Sequence, residues 1–117
     1  MSSKYFLEKS IEERKQETKR MKEKYPHRTL IFLEKSKNCN LPDIDKNKFL
    51  VPKDLSVGQM IHVIRKRMKI NASQSIYLFT ENNNLPVSSQ SISSLYDTNA
   101  NEDGFMYLTY NTEEVYG

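Results

Sequence analysis

The stretch Asp45-Lys46-Asn47-Lys48-Phe49-Leu50-Val51-Pro52-Lys53-Asp54-Leu55 constrains the fold more than any other part of the 117-residue chain. Phe49, Leu50 and Val51 read as a short strand. Side chains alternate along a strand, so Phe49 and Val51 share one face, and Lys48, Leu50 and Pro52 share the other. Both faces carry apolar groups, so neither is simply solvent. Pro52 has no backbone N–H to give to a ladder, which places this strand at a sheet edge or ends it there. An edge exposes unpaired N–H and C=O groups to any extended peptide. Lys46, Lys48 and Lys53 around it repel a second copy and attract an acidic peptide. The same lysines also suit an ordinary protected edge that has no further function.

The rest of the chain supplies covers for this strand. Arg28-Thr29-Leu30-Ile31-Phe32-Leu33-Glu34 is apolar at both parities, so the strand it predicts is covered on both faces. Ile76-Tyr77-Leu78-Phe79 has the same character and is expected at the centre of the sheet. Phe105-Met106-Tyr107-Leu108-Thr109-Tyr110 makes a fourth strand. Ser56-Val57-Gly58-Gln59 is a capping box opening a helix to about Lys69. Val57, Ile61, Ile64 and Met68 give that helix a core stripe at helical spacing. Met60, Val63 and Arg67 form an adjacent stripe, either core margin or the wall of a shallow pocket beside Phe49 and Val51. Ser91 to Tyr96 reads as a short helix.

Two helices precede the first strand. One begins at Tyr5, Phe6 and Leu7 and breaks near Lys9-Ser10. A second capping box, Ser10-Ile11-Glu12-Glu13, opens the next, which must stop before Pro26. Its apolar stripe of Ile11, Thr18, Met21 and Tyr25 is thin, so this helix lies on the domain and packs Met21 near Leu30 and Phe32. The element order describes an α+β chain with a β-grasp: a four-stranded mixed sheet with a crossover helix, plus two N-terminal helices. Residues 1–25 are the helical extension, 26–110 the core, and 111–117 a polar tail.

Charge is segregated. Residues 28–69 hold ten Lys/Arg against four Asp/Glu, and residues 70–117 hold no Lys/Arg and six Asp/Glu. Such a basic front favours acidic ligands. In the N-terminal helices five acidic residues interleave with the basic ones, which argues against specific nucleic-acid binding. A mean hydropathy of −0.74 and a longest apolar run of Leu30 to Leu33 fit no membrane span or secretory signal. Cys39 is the single cysteine, which suits a reducing compartment. His27 and His62 lack the spacing of a metal site, and the three glycines form no phosphate loop. No nucleophile elbow occurs among Ser88 to Ser94. The expectation is a protein without catalytic residues, metal or cofactor.

Several motifs together carry a resemblance. Lys24-Tyr25-Pro26-His27-Arg28, Glu34-Lys35, Asp43-Ile44-Asp45-Lys46, Lys48 to Pro52, Asp54 to Gln59, Ile64-Arg65-Lys66-Arg67 and Glu114-Val115-Tyr116-Gly117 run in order from the first helices to the last residue. With them the chain resembles the autophagy ubiquitin-like modifiers, the family of autophagy-related protein eight, and most closely its GABA-A receptor-associated branch. The resemblance implies a ubiquitin-like core behind two N-terminal helices. It implies activation of Gly117 by E1-like and E2-like enzymes, lipid conjugation to phosphatidylethanolamine, and a cysteine protease for processing or delipidation. It places the protein in the cytoplasm as a monomer when soluble, and on autophagosome or other vesicle membranes when lipidated.

The resemblance also implies a binding site for receptor and adaptor peptides of the form aromatic-x-x-aliphatic. Its aromatic pocket falls on Glu17, Met21, Leu30, Phe32, Lys48, Leu50 and Phe105. Its aliphatic pocket falls on Phe49, Val51, Pro52, Leu55, Met60 and Val63. Arg28, Lys46 and Arg67 are the expected contacts for acidic peptide residues. Leu30, Phe49 and Met60 stand where the family commonly has proline, tyrosine and phenylalanine, which bears on ligand preference. Two other classes stay open: a ubiquitin-like adaptor that is never conjugated, and a cytoskeleton- or nucleic-acid-binding module working through the basic N-terminal helices.

Overall fold

The computed structural model describes residues 8–71 and 73–112. The helix expected from Tyr5, and the terminal Gly117, lie outside these residues. The elements run α1 (Ile11–Lys24), β1 (Arg28–Lys35), β2 (Lys48–Pro52), α2 (Val57–Met68), β3 (Tyr77–Thr80), α3 (Ile92–Asn99) and β4 (Met106–Asn111). The strands form one sheet in the order β2-β1-β4-β3. β1 is antiparallel to β2 and parallel to β4, and β3 is antiparallel to β4. This is the mixed β-grasp sheet that the element order predicts, with α2 as its crossover.

One expectation is overturned. β3 is an outer strand, and β1 and β4 are the central pair. Apolar residues at both parities report that both faces are covered; they say nothing about neighbours within the sheet. β4 also extends to Asn111, which pairs with Tyr77, so the sheet takes the first residue assigned to the tail.

The strands divide their apolar residues between two layers. Ile31, Leu33, Phe49, Val51, Leu78, Met106, Leu108 and Tyr110 face α2 and α3, meeting Val57, Met60, Ile64, Ile92 and Leu95. Leu30, Phe32, Phe105 and Tyr107 form a second, smaller cluster on the other face, with Met21 of α1 and Leu50 of β2 packed against it. The alternation along β1 therefore feeds both layers, and Met21 lies where the thin stripe places it.

Both capping boxes form. The Ser10 hydroxyl accepts from the Glu13 N–H at 3.2 Å, and the Glu13 carboxylate accepts from the Ser10 N–H at 3.2 Å. At α2 the Ser56 hydroxyl accepts from Gln59 N–H at 3.1 Å, and the Gln59 side chain accepts in return at 2.9 Å. Lys69 ends α2 in the left-handed conformation. The buried face of α1 differs from the predicted stripe. Tyr25, expected in the stripe, is 40 % exposed, whereas Arg14 and Glu17, outside it, are buried along with Thr18 of the stripe. The helix thus lies down on charged groups, because each meets an opposite charge: Asp103 for Arg14 and Lys48 for Glu17. Cys39 is a free, buried thiol whose sulfur accepts from the Leu41 N–H at 3.4 Å. Among the described residues no helix is long and apolar enough to cross a membrane, and no group of His, Cys, Asp and Glu could hold a metal ion.

Candidate functional site

Among the described residues β2 is an outer strand beside β1, and the register fixes which of its backbone groups face outward. The Leu33 N–H donates to the Asn47 carbonyl at 2.8 Å, one pair beyond the ladder from Phe32↔Lys48 to Arg28↔Pro52. Bonded and open pairs alternate in an antiparallel ladder. Phe49 and Val51 therefore bond to β1, while Lys48 and Leu50 turn their N–H and C=O groups away from it. Pro52 offers no N–H, and its carbonyl already accepts from Leu55 at 3.1 Å.

On one side of this edge lies the aromatic cluster. Phe32 stands edge-on to Phe105 at 6.1 Å and tilted against Tyr107 at 5.4 Å between ring centroids. Leu30, Phe32 and Phe105 are buried, so they form a closed floor. Met21 and Leu50, only partly buried, lie over it. The Lys48 ammonium meets the Glu17 carboxylate at 2.6 Å, linking β2 to α1 across the flank of the cluster. All seven residues expected at an aromatic pocket thus converge, with Tyr107 as a further member. The alternation Phe105, Tyr107 carries that signal in the sequence.

On the other side Phe49 and Val51 sink into the main core. The Lys46 ammonium and the Arg67 guanidinium lie 5.3 and 5.9 Å from the Phe49 ring centroid and roof it by cation–π contact. Arg67 is also held by Asp45 at 2.8 Å. Pro52 is exposed and Leu55 half-buried. Met60 has no exposed surface while Val63 is 40 % exposed, so Met60 supports the floor from within and offers no surface of its own. Arg28 stands apart from Lys46 and Arg67. It pairs across from Pro52 at the far end of β2, in a cavity of about 460 Å³ shared with Lys22, Lys53 and Tyr96.

The residue that sequence reasoning missed is Asp103, whose side chain is fully buried. One carboxylate oxygen accepts from the Arg14 guanidinium at 2.9 Å and also from the Tyr107 hydroxyl. The other accepts from the Phe105 N–H at 2.8 Å. The Thr18 hydroxyl donates to its backbone carbonyl at 2.5 Å. Burial, reinforced by the Asp103 hydrogen bond, pushes the Tyr107 phenol well above its ordinary value and outweighs the opposing effect of Arg14. Arg14 and Asp103 are 89 positions apart, and neither belongs to an apolar period, so no local pattern announces the pair.

Comparison with known proteins agrees with this architecture. The family model described as "Autophagy protein Atg8 ubiquitin like" matches residues 13–117. Autophagy-related protein 8c of Arabidopsis thaliana is 43% identical over 99% of this chain and 97% of its own length. Autophagy-related protein 8B of Oryza sativa subsp. japonica is 42% identical over 98% of this chain and 96% of its own. The crystal structure of Trypanosoma brucei ATG8 superposes with a TM-score of 0.90 at 35% identity, covering 95% of each chain. The likeness holds at the level of the family; the narrower GABA-A receptor-associated branch rests on the sequence motifs alone. Proteins of this family are ubiquitin-like modifiers and adaptors and not enzymes themselves. The chain belongs to the Atg8 family of ubiquitin-like autophagy proteins.

Proposed function

We propose that this Atg8-family protein works in autophagy as a peptide-binding tag that is joined through Gly117 to phosphatidylethanolamine. The observation that carries the binding half is the outward set of Lys48 and Leu50 backbone groups, flanked by the aromatic cluster on one face and by Phe49 and Val51 on the other. An extended peptide adds there as a fifth strand, its main chain giving affinity and two side-chain anchors giving specificity. The aromatic anchor rests on Met21 and Leu50 beside Lys48. The aliphatic anchor lies further along, toward Pro52, Leu55 and Val63. That order runs the peptide parallel to β2. Two anchors offset the ordering of a flexible peptide, so dissociation constants are about micromolar. Lys46, Arg28 and Arg67 favour acidic flanks, most strongly at low salt.

Membership of the family and the Glu114-Val115-Tyr116-Gly117 motif support the conjugation half. An E1-like enzyme adenylates the Gly117 carboxylate with ATP, releasing pyrophosphate. A cysteine thiolate displaces AMP to form a thioester, which passes to the E2-like enzyme. The amine of phosphatidylethanolamine then displaces the thiol and leaves an amide. The two acyl chains, at roughly 0.8 kcal/mol per buried CH₂, hold the product on autophagosome or other vesicle membranes. Before that step the protein is cytoplasmic, and a cysteine protease handles processing and delipidation.

Titration calorimetry with a ten-residue acidic peptide carrying Trp-x-x-Leu tests the binding half. Leu50→Ala should weaken binding at least about tenfold, the loss expected for one partly desolvated leucine. Equal affinity for both proteins would rule out this edge. With E1-like and E2-like enzymes, ATP and phosphatidylethanolamine liposomes, the wild type should become membrane-bound and a Gly117 deletion should stay in solution. Lipidation of the deletion variant would move the conjugation site elsewhere.

A further inference from the structure

The aromatic cluster has walls of two kinds. Leu30, Phe32 and Tyr107 belong to one hydrogen-bonded sheet, in which Phe32 and Tyr107 are direct partners across β1 and β4, and Phe105 immediately precedes β4. The ladder sets the positions of the strand residues relative to one another. The remaining wall, Glu17 and Met21, stands on α1, which is outside the sheet and has only a thin apolar stripe to hold it. Ile11 and Met21 are partly exposed and Tyr25 is more so. The distance between the walls therefore depends on what ties α1 to the sheet.

One tie is the ion pair between Glu17 and Lys48 of β2 at 2.6 Å, and behind the floor a second set converges on one residue. Asp103 holds Arg14 through its carboxylate and Thr18 through its carbonyl, and those two positions bracket Glu17 on α1. The same carboxylate holds the N–H of Phe105 and the hydroxyl of Tyr107, which belong to the opposite wall. Gly104 makes this close approach possible: its φ is +97°, and a Cβ there would stand 2.7 Å from the Thr18 hydroxyl. A side chain with no exposed surface and partners on both walls acts as a fixed spacer between them.

We propose that Asp103, through Arg14 and Thr18, sets the width of the aromatic pocket, and is thereby a positioning residue for the peptide's aromatic anchor. This rests on the peptide-binding reading above. Asp103 lies behind the floor and touches no peptide. Its effect is confined to the anchor that must fit between α1 and the sheet, and the aliphatic anchor on the other face does not sense it.

A double-mutant cycle between protein and peptide tests this. The protein variants are Asp103→Asn, which keeps shape but removes charge, and Thr18→Val, a milder change that removes only one tie. The probes are the Trp-x-x-Leu peptide, its Trp→Ala form and its Leu→Ala form, followed by chemical-shift titration up to millimolar concentration. Each variant's fold is checked by circular dichroism. Asp103→Asn should weaken the Trp-x-x-Leu and Leu→Ala peptides about five- to tenfold, within the range of coupling between neighbouring groups. It should leave the Trp→Ala peptide unchanged, and Thr18→Val should show the same pattern more weakly. Equal weakening of all three peptides by a folded variant would overturn the proposal, as would no weakening of any. If neither variant folds, Asp103 is a stability element and the proposal fails. Absence of binding to the wild type would defeat the peptide-binding reading itself, a separate result.

Discussion

Phe49 and Leu50 are neighbours with opposite fates. Phe49 is 6 % exposed, sealed beneath Lys46 and Arg67, and belongs to the main core. Leu50 is half-buried at the rim of the smaller cluster. Phe49→Ala should cost about 3–5 kcal/mol of stability, the usual loss for a buried aromatic ring. Leu50→Ala should cost less than half of that while removing more of the peptide affinity. Urea denaturation separates the two, and equal losses would mean that Phe49 is not core. The pair therefore cannot be removed together as a clean test of binding. Asp45 raises a second residue-scale prediction. It occupies Arg67 at 2.8 Å in an exposed pair, so a peptide carboxylate must compete with it. Asp45→Asn should improve binding of acidic-flanked peptides a few-fold at low salt, with the gain fading at high salt. A gain that persists in 1 M salt would exclude this electrostatic cause.

The elements were largely legible in the sequence, because their signals are local. Ser10/Glu13 and Ser56/Gln59 mark helix starts by chemistry within four residues, and both boxes form. The apolar runs that predict strands are short-range in the same way. What was not legible is relational. Ile76 to Phe79 reads as a covered strand, and nothing within it says that β3 is an outer strand among the described residues. Arg14 and Asp103 look like ordinary surface charges until folding brings them together. At the candidate site, the cluster brings together Met21, Leu30, Phe32, Leu50 and Phe105, which the resemblance names, with Tyr107, which it does not; the burial of Met60 and the separation of Arg28 from Arg67 emerge only in three dimensions. The seat of α1 gives the prediction at this scale. Gly104→Ala must accommodate both a left-handed φ and a Cβ against Thr18. It should cost about 1–3 kcal/mol, seen as a lowered urea midpoint. An unchanged midpoint would show that α1 is not seated against this loop.

At the scale of the whole molecule, two buried phenols tie stability to pH. Burial pushes Tyr110 up to about 12, a shift opposed by the Ile44 N–H and aided by the charge of Asp43. Tyr107 is raised as well. A folded pKa above the unfolded value means that the folded state holds the proton more tightly. This stabilisation is complete below the unfolded tyrosine pKa of about 10. It declines as pH rises from there through about 12 for Tyr110. The urea midpoint should therefore fall above pH about 10, and Tyr110→Phe should make the fall shallower. Parallel curves for the two proteins would remove Tyr110 as a cause. The central claim concerns the two edges of the sheet, β2 and β3, and which of them takes a peptide. Amide hydrogen exchange, measured with and without saturating Trp-x-x-Leu peptide, tests it most directly. Phe49 and Val51 already bond to β1, so their exchange should change little. Lys48 and Leu50 face outward, and their amides should slow markedly on binding. A peptide that binds while Lys48 and Leu50 exchange as before, and instead protects Tyr77 to Thr80 on the opposite edge, would contradict the account.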